Sequence, residues 1–105
     1  MPRQVRPSQP FVVGPKTSSY GLEIKAKARR ALDRMPRDLR ERVMHQIESL
    51  AAGPFAVGLD VKRLKGFDGF RLRVGDWRVI YQIDQSRIVI LVLAIAPRGD
   101  VYDRL

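Results

Sequence analysis

The sequence predicts an α+β fold, with helices packed on one face of a sheet, and a change of hydrophobic period along the chain is what predicts it. Between residues 28 and 50 the apolar side chains recur every three or four positions, the period of a helix. From residue 62 onward they recur every second position, the period of a strand, and then merge into an almost unbroken aliphatic run from Ile88 to Ala96. Read in order, this gives a short N-terminal strand, a two-helix hairpin and an antiparallel three-strand meander. A chain of 105 residues that is 45% hydrophobic can bury one modest core but not two.

Each element has a local reason. Residues 1–19 hold four of the seven prolines, together with Arg3, Arg6 and Lys16 and no acid, and show no apolar period. They read as a flexible basic arm or as leftover expression-derived sequence, and residues 20–105 as a single folded domain. Tyr20, Leu22 and Ile24 alternate as a short strand. Ala28, Ala31, Leu32 and Met35 form the buried stripe of a first helix, and Leu39, Val43, Ile47 and Leu50 that of a second. Pro36 is tolerated in a first helical turn and so marks the start of the second helix, which Gly53-Pro54 ends. Phe70, Leu72 and Val74 alternate with Arg71 and Arg73; Gly75-Asp76 turns the chain; Trp77, Val79, Tyr81 and Ile83 continue the apolar face. After the turn at Asp84-Gln85-Ser86, the run Ile88–Ala96 reads as a strand buried on both faces.

Composition excludes several kinds of chemistry. The absence of cysteine removes disulfides, zinc ribbons, Fe–S clusters and thiol catalysis, and a single histidine makes no metal cluster. No metal site and no cofactor are therefore expected. His45, beside the buried stripe of the second helix, reads as a surface histidine. Phe11-Val12-Val13 is too short for a secretory core, and the longest apolar stretch, Ile88–Pro97, is half of what a bilayer requires. A cytoplasmic protein without a membrane partner is expected. The net charge of +9, with fifteen arginines among twenty cations, favours a polyanionic partner.

The charge is most informative between Lys62 and Arg78. Lys62, Arg63, Lys65, Arg71, Arg73 and Arg78 face only Asp68 and Asp76 in this segment. A two-residue loop at Gly75-Asp76 sets Val74 opposite Trp77 and Arg73 opposite Arg78, with Arg71 two residues along on the same face. Like charges paired across strands are destabilising, so their retention points to an external anion. Guanidinium forks bind phosphate oxygens in pairs and stay charged at physiological pH, which makes phosphate the favoured anion. The same face would otherwise be a solvated surface, its arginines paired with Asp60, Asp68, Asp84, Asp100 or Asp103.

The stretches Lys62-Arg63-Leu64-Lys65-Gly66, Phe70-Arg71-Leu72-Arg73-Val74-Gly75-Asp76-Trp77-Arg78-Val79-Ile80-Tyr81 and Arg98-Gly99-Asp100-Val101-Tyr102 resemble the RelE/ParE superfamily of toxin–antitoxin systems. The resemblance covers residues 20–105. For its RelE branch it implies a ribosome-dependent mRNA endonuclease that inhibits translation. The reaction implied is metal-independent attack of a ribose 2′-hydroxyl on the adjacent phosphorus. Arg71 and Arg73 then match the family's basic pair, Arg78 its phosphate-binding arginine, Arg98 the arginine after the central strand, and Tyr102 the tyrosine that orients a base. Lys62, Arg63 and Lys65 would hold further RNA phosphates. The implied partners are a cognate antitoxin, in a toxin–antitoxin hetero-oligomer, and mRNA in the ribosomal A site. A ParE-like gyrase inhibitor without nuclease activity, or a degenerate RNA-binding homologue, are the alternatives. The chain departs from the family pattern by carrying Arg71 and Arg73 where lysines are usual and Pro97 where histidine is usual. An arginine is a very poor proton acceptor, so the general base is left unassigned, or to the ribosome or RNA.

Overall fold

The computed structural model describes residues 20–54 and 58–97. The elements are β1 (Gly21–Ile24), α1 (Ala26–Asp33), α2 (Arg37–Ala52), β2 (Val61–Arg63), β3 (Phe70–Val74), β4 (Trp77–Asp84) and β5 (Val89–Pro97). Five strands form one sheet in the order β1-β5-β4-β3-β2. β1 runs parallel to β5, and every other pairing is antiparallel. The α+β expectation and the one-sided helical layer hold.

The helices stop where the sequence makes them stop. Pro36 sits at the N-cap of α2, where the missing N–H costs no helical hydrogen bond, and Asp38 adds a favourable negative charge to the first turn. Ala28, Leu32, Met35, Val43, Ile47 and Leu50 are buried against Leu72, Val74, Val79, Tyr81, Ile90 and Val92 of the sheet. Full burial of each such aliphatic side chain contributes about 1.5–3 kcal/mol relative to exposure. Ala31 and Leu39 are only half-buried, at the margins of their stripes. His45 is exposed.

Three details depart from the sequence expectation. The sheet gains an edge strand, β2, hidden in the sequence because two of its three residues are Lys62 and Arg63. The last strand begins at Val89, not Ile88. Ile88 lies in the turn with φ at 57°, a strained position for a β-branched residue, and its carbonyl accepts a hydrogen bond from Gly21 N–H at 2.7 Å. The aliphatic run is continuous because β5 carries a bulge: Ile80 pairs with Ala94 and Tyr81 with Val92, so Leu93 has no partner on β4. Ala94 and Ala96 consequently share the face opposite the helices, where Leu64 and Phe67 pack over Ile80 to form a second, smaller cluster. No described helix is long and apolar enough to cross a membrane.

The β3–β4 turn sets the register of everything that follows. Gly75 has φ at 59° while Asp76 is not in the left-handed region, the pattern of a two-residue turn with glycine at its first central position. Val74 then pairs with Trp77 and Arg73 with Arg78.

Candidate anion-binding site

The face of the sheet opposite the helices reads as two rows across the strands. One row runs Lys62 on β2, Arg71 on β3, Ile80 on β4 and Ala94 on β5. The next runs Arg73, Arg78 and Ala96. Asp60, one residue before β2, lies beside Arg73, whose backbone N–H donates to the Asp60 carbonyl at 2.9 Å. Strand pairing alone therefore brings Lys62, Arg71, Arg73 and Arg78 onto one surface around one carboxylate. Ala94 and Ala96 continue the two rows on β5 and are buried in the small cluster with Ile80.

The three arginines are not equivalent. Arg71 is nine-tenths buried, and its Nη2 donates to Asp60 Oδ1 at 2.9 Å. Its Nε is buried with no hydrogen-bond partner among the described residues. Arg73 is 45% exposed, with Nε 3.8 Å from Asp60 Oδ2, too long for a hydrogen bond. Arg78 is half-buried, and its side chain makes no hydrogen bond or ion pair with any described residue. The three arginines share one face, as the sequence leads one to expect, but only Arg73 and Arg78 keep substantial solvent exposure. Arg71 is turned into the protein by Asp60, because an arginine under apolar cover needs a carboxylate partner.

The remaining sequence candidates divide by alternation and by position. Lys62 is exposed on the arginine face, and Lys65 is exposed in the loop that follows β2. Arg63 pairs in register with Phe70 and so points to the other face, where its guanidinium lies 5.4 Å from the Phe70 ring centroid and 3.9 Å from Asp68. Phe70 in turn stacks on Tyr81 at 5.5 Å. Arg98 and Tyr102 lie outside the described residues.

Two features go beyond the sequence reading, which offers Asp60 only as one of several carboxylates able to pair with the arginines. Asp60 lies 11 residues before Arg71 in the chain, and only the β2–β3 pairing brings the two together. The second is a basic stripe along α1 and its C-cap: Lys27, Arg30 and Arg34 fall at helical spacing and, with Trp77 and Pro97, line a pocket of about 330 Å³ beside β5. The spacing of those three cations was visible in the sequence. Their proximity to β5 was not.

Comparison with known proteins places the fold in a family. A family model described as "ParE toxin of type II toxin-antitoxin system, parDE" matches residues 22–102. The chain belongs to the RelE/ParE toxin superfamily. It is a type II toxin–antitoxin toxin, 32% identical over 87 residues to Toxin RelG of Mycobacterium tuberculosis, a match that spans 81% of this chain and 98% of the relative. RelE in the archaeal RelE–RelB complex from Pyrococcus horikoshii is 31% identical, with a TM-score of 0.69, covering 79% of this chain and 99% of the other. The YoeB/ParE toxin from Agrobacterium tumefaciens, 18% identical with a TM-score of 0.65 over 74% of this chain and 98% of its own, shares the fold. In the toxin, both helices and strands β2 to β5 fall wholly within the matched region, as does β1 from Leu22 on, and so does the Arg73–Arg78 pair.

Proposed function

We propose that the toxin is a ribosome-dependent mRNA endonuclease that inhibits translation by metal-independent attack of a ribose 2′-hydroxyl on the adjacent phosphodiester. The observation that carries this reading is the Arg73–Arg78 pair: two guanidinium groups directly opposed across strands, one of them without any described partner. Such a pair is held at a cost to stability, and a phosphate placed between the two groups removes that cost. In the transition state the same groups meet the charge that develops on the non-bridging oxygens, where preorganised donors contribute most. Lys62 and Lys65 extend the positive surface along the RNA strand. Arg71 acts through Asp60 and not on the phosphate. Arg98 and Tyr102 keep the places given by family resemblance, as the arginine after the central strand and the tyrosine that orients a base.

The relatives of known structure include toxins solved with antitoxins, RelE with RelB among them. We extend that partnership to this chain, whose net +9 favours an acidic antitoxin in a hetero-oligomer. The test is a coupled translation extract given purified toxin. Wild type should cut translated mRNA and leave untranslated mRNA whole, while Arg73→Ala and Arg78→Ala should fold and leave both whole. Intact message with folded wild-type toxin refutes the reading. The matched family model is described by ParE, which favours gyrase inhibition as the second reading. A supercoiling assay with purified gyrase decides between them.

A further inference from the structure

The cleavage reading requires a group to take the proton from the attacking 2′-hydroxyl, and the cations of the arginine face have no lone pair to offer. We propose that the Asp60 carboxylate is that general base, an inference that rests on the mRNA-cleavage reading. Of the described carboxylates on this face, Glu23 and Asp84 are held by Arg87 at the other end of the sheet, and Asp60 is the one beside Arg73. Its two oxygens have different surroundings. Oδ1 is held by Arg71 Nη2 at 2.9 Å, whereas Oδ2 stands 3.8 Å from Arg73 Nε and is not hydrogen-bonded to it. The side chain is 55% exposed, so substrate can reach the second oxygen.

Arg71 now has a purpose other than gripping RNA. A buried arginine with an unpartnered Nε is a costly way to fill space, but a rigid way to fix a carboxylate. Asp60 is about one strand spacing, ~5 Å, from Arg73 and about two from Arg78. A phosphate held between those arginines therefore brings a neighbouring ribose within reach of Asp60 Oδ2. In the step, the 2′-hydroxyl proton passes to Oδ2 as the 2′-oxygen forms its bond to phosphorus. The bond from phosphorus to the 5′-oxygen breaks with its electron pair, and that oxygen takes a proton from water. Asp60 then gives its proton to the hydroxide that remains, so the water is restored. The products are a 2′,3′-cyclic phosphate and a 5′-hydroxyl. The charged groups that face Asp60 are Lys62 on β2, Arg71 and Arg73 on β3, and Arg78 on β4.

The test is single-turnover cleavage of mRNA on programmed ribosomes, run across the pH range in which ribosomes stay intact. Asp60→Asn should slow the cleavage step by about 100-fold or more without weakening ribosome binding, and Asp60→Glu should recover part of the loss. The residual rate of Asp60→Asn should rise in proportion to hydroxide, whereas the wild-type rate should not. A purely structural role would not change the pH profile in this way. Because Asp60→Asn leaves Arg71 without its anion, Asp60→Asn/Arg71→Met serves as the folded control and should be equally slow. Cleavage by either folded variant within a few fold of wild type overturns the inference alone. Wild-type toxin that fails to cleave overturns the cleavage reading, and this inference with it.

Discussion

Replacing Arg78 with glutamine should make the toxin more stable and less active at once. Arg78 and Arg73 are directly paired on neighbouring strands, and Arg78 has no described counter-ion. Two unit charges about 6 Å apart in a water-like dielectric repel by about 0.7 kcal/mol, which falls within the roughly 0.2–1 kcal/mol measured for cross-strand pairs. Asp60, near Arg73, offsets part of this, so about 0.5 kcal/mol remains as the expected gain. Glutamine keeps most of the aliphatic stem, so little packing is lost from this half-buried position. For a domain of this length the gain corresponds to a rise in Tm of about 2–4 °C. The assay is thermal and urea unfolding by circular dichroism at low salt and at high salt. At about 1 M salt the Debye length shrinks to about 3 Å, so the difference from wild type should fade. Arg78→Glu, which creates an ion pair with Arg73, should gain more than Arg78→Gln at low salt. A loss of stability in both variants at low salt would show that Arg78 is held by structural contacts, and would refute the reasoning.

Three further outcomes follow from the same structure. Asp60→Ala should cost about 3 kcal/mol in urea unfolding because it strands the buried Arg71 charge, and Asp60→Asn/Arg71→Met should recover most of that loss; a single-mutant cost below about 0.5 kcal/mol would contradict the buried pair. Burial pushes the Tyr81 hydroxyl up from 10.0 to about 12, so its contribution to stability is absent below pH 10, where both states keep the proton, and the folded state loses ground as pH rises towards 12 and the unfolded hydroxyl ionises first. Tyr81→Phe should remove that alkaline loss and, since the hydroxyl is buried without a described partner, match or exceed wild-type stability at neutral pH. A side-chain hydrogen bond from Arg87, with others from Ser86 and the Arg87 backbone, holds the Asp84 carboxyl down from 3.8 to about 2. Its contribution is therefore present above pH 3.8 and lost as pH falls through 2. Arg87→Gln should move the Asp84 midpoint upward in an NMR titration.

Those predictions draw on what the sequence shows and on what it hides. The hydrophobic periods of the helices and of Phe70–Ile83 are strong because one face of each element is buried, so α1, α2, β3 and β4 are legible, and with them the opposition of Arg73 and Arg78. That opposition follows from Gly75 alone, since a two-residue turn leaves one register. β2 is illegible because an edge strand of three residues with two charges has no apolar period to read. The burial of Arg71 is hidden for a related reason: alternation assigns a side chain to a face but does not say what covers that face. Here the loop after β2 brings Leu64 and Phe67 onto Ile80, and Asp60 receives the arginine. Arg63 shows the reverse. Its charge placed it with the cradle, but one step of strand alternation sends it to Phe70.

The central claim is that Arg73 and Arg78 together grip a ribonucleotide phosphate, and primer extension on cellular mRNA after induction tests it most directly, with wild type, Arg78→Gln and Arg73→Gln compared at equal soluble protein levels. The account predicts discrete new 5′ ends within translated messages for wild type and none for either variant. The same 5′ ends at undiminished intensity in either variant would contradict it.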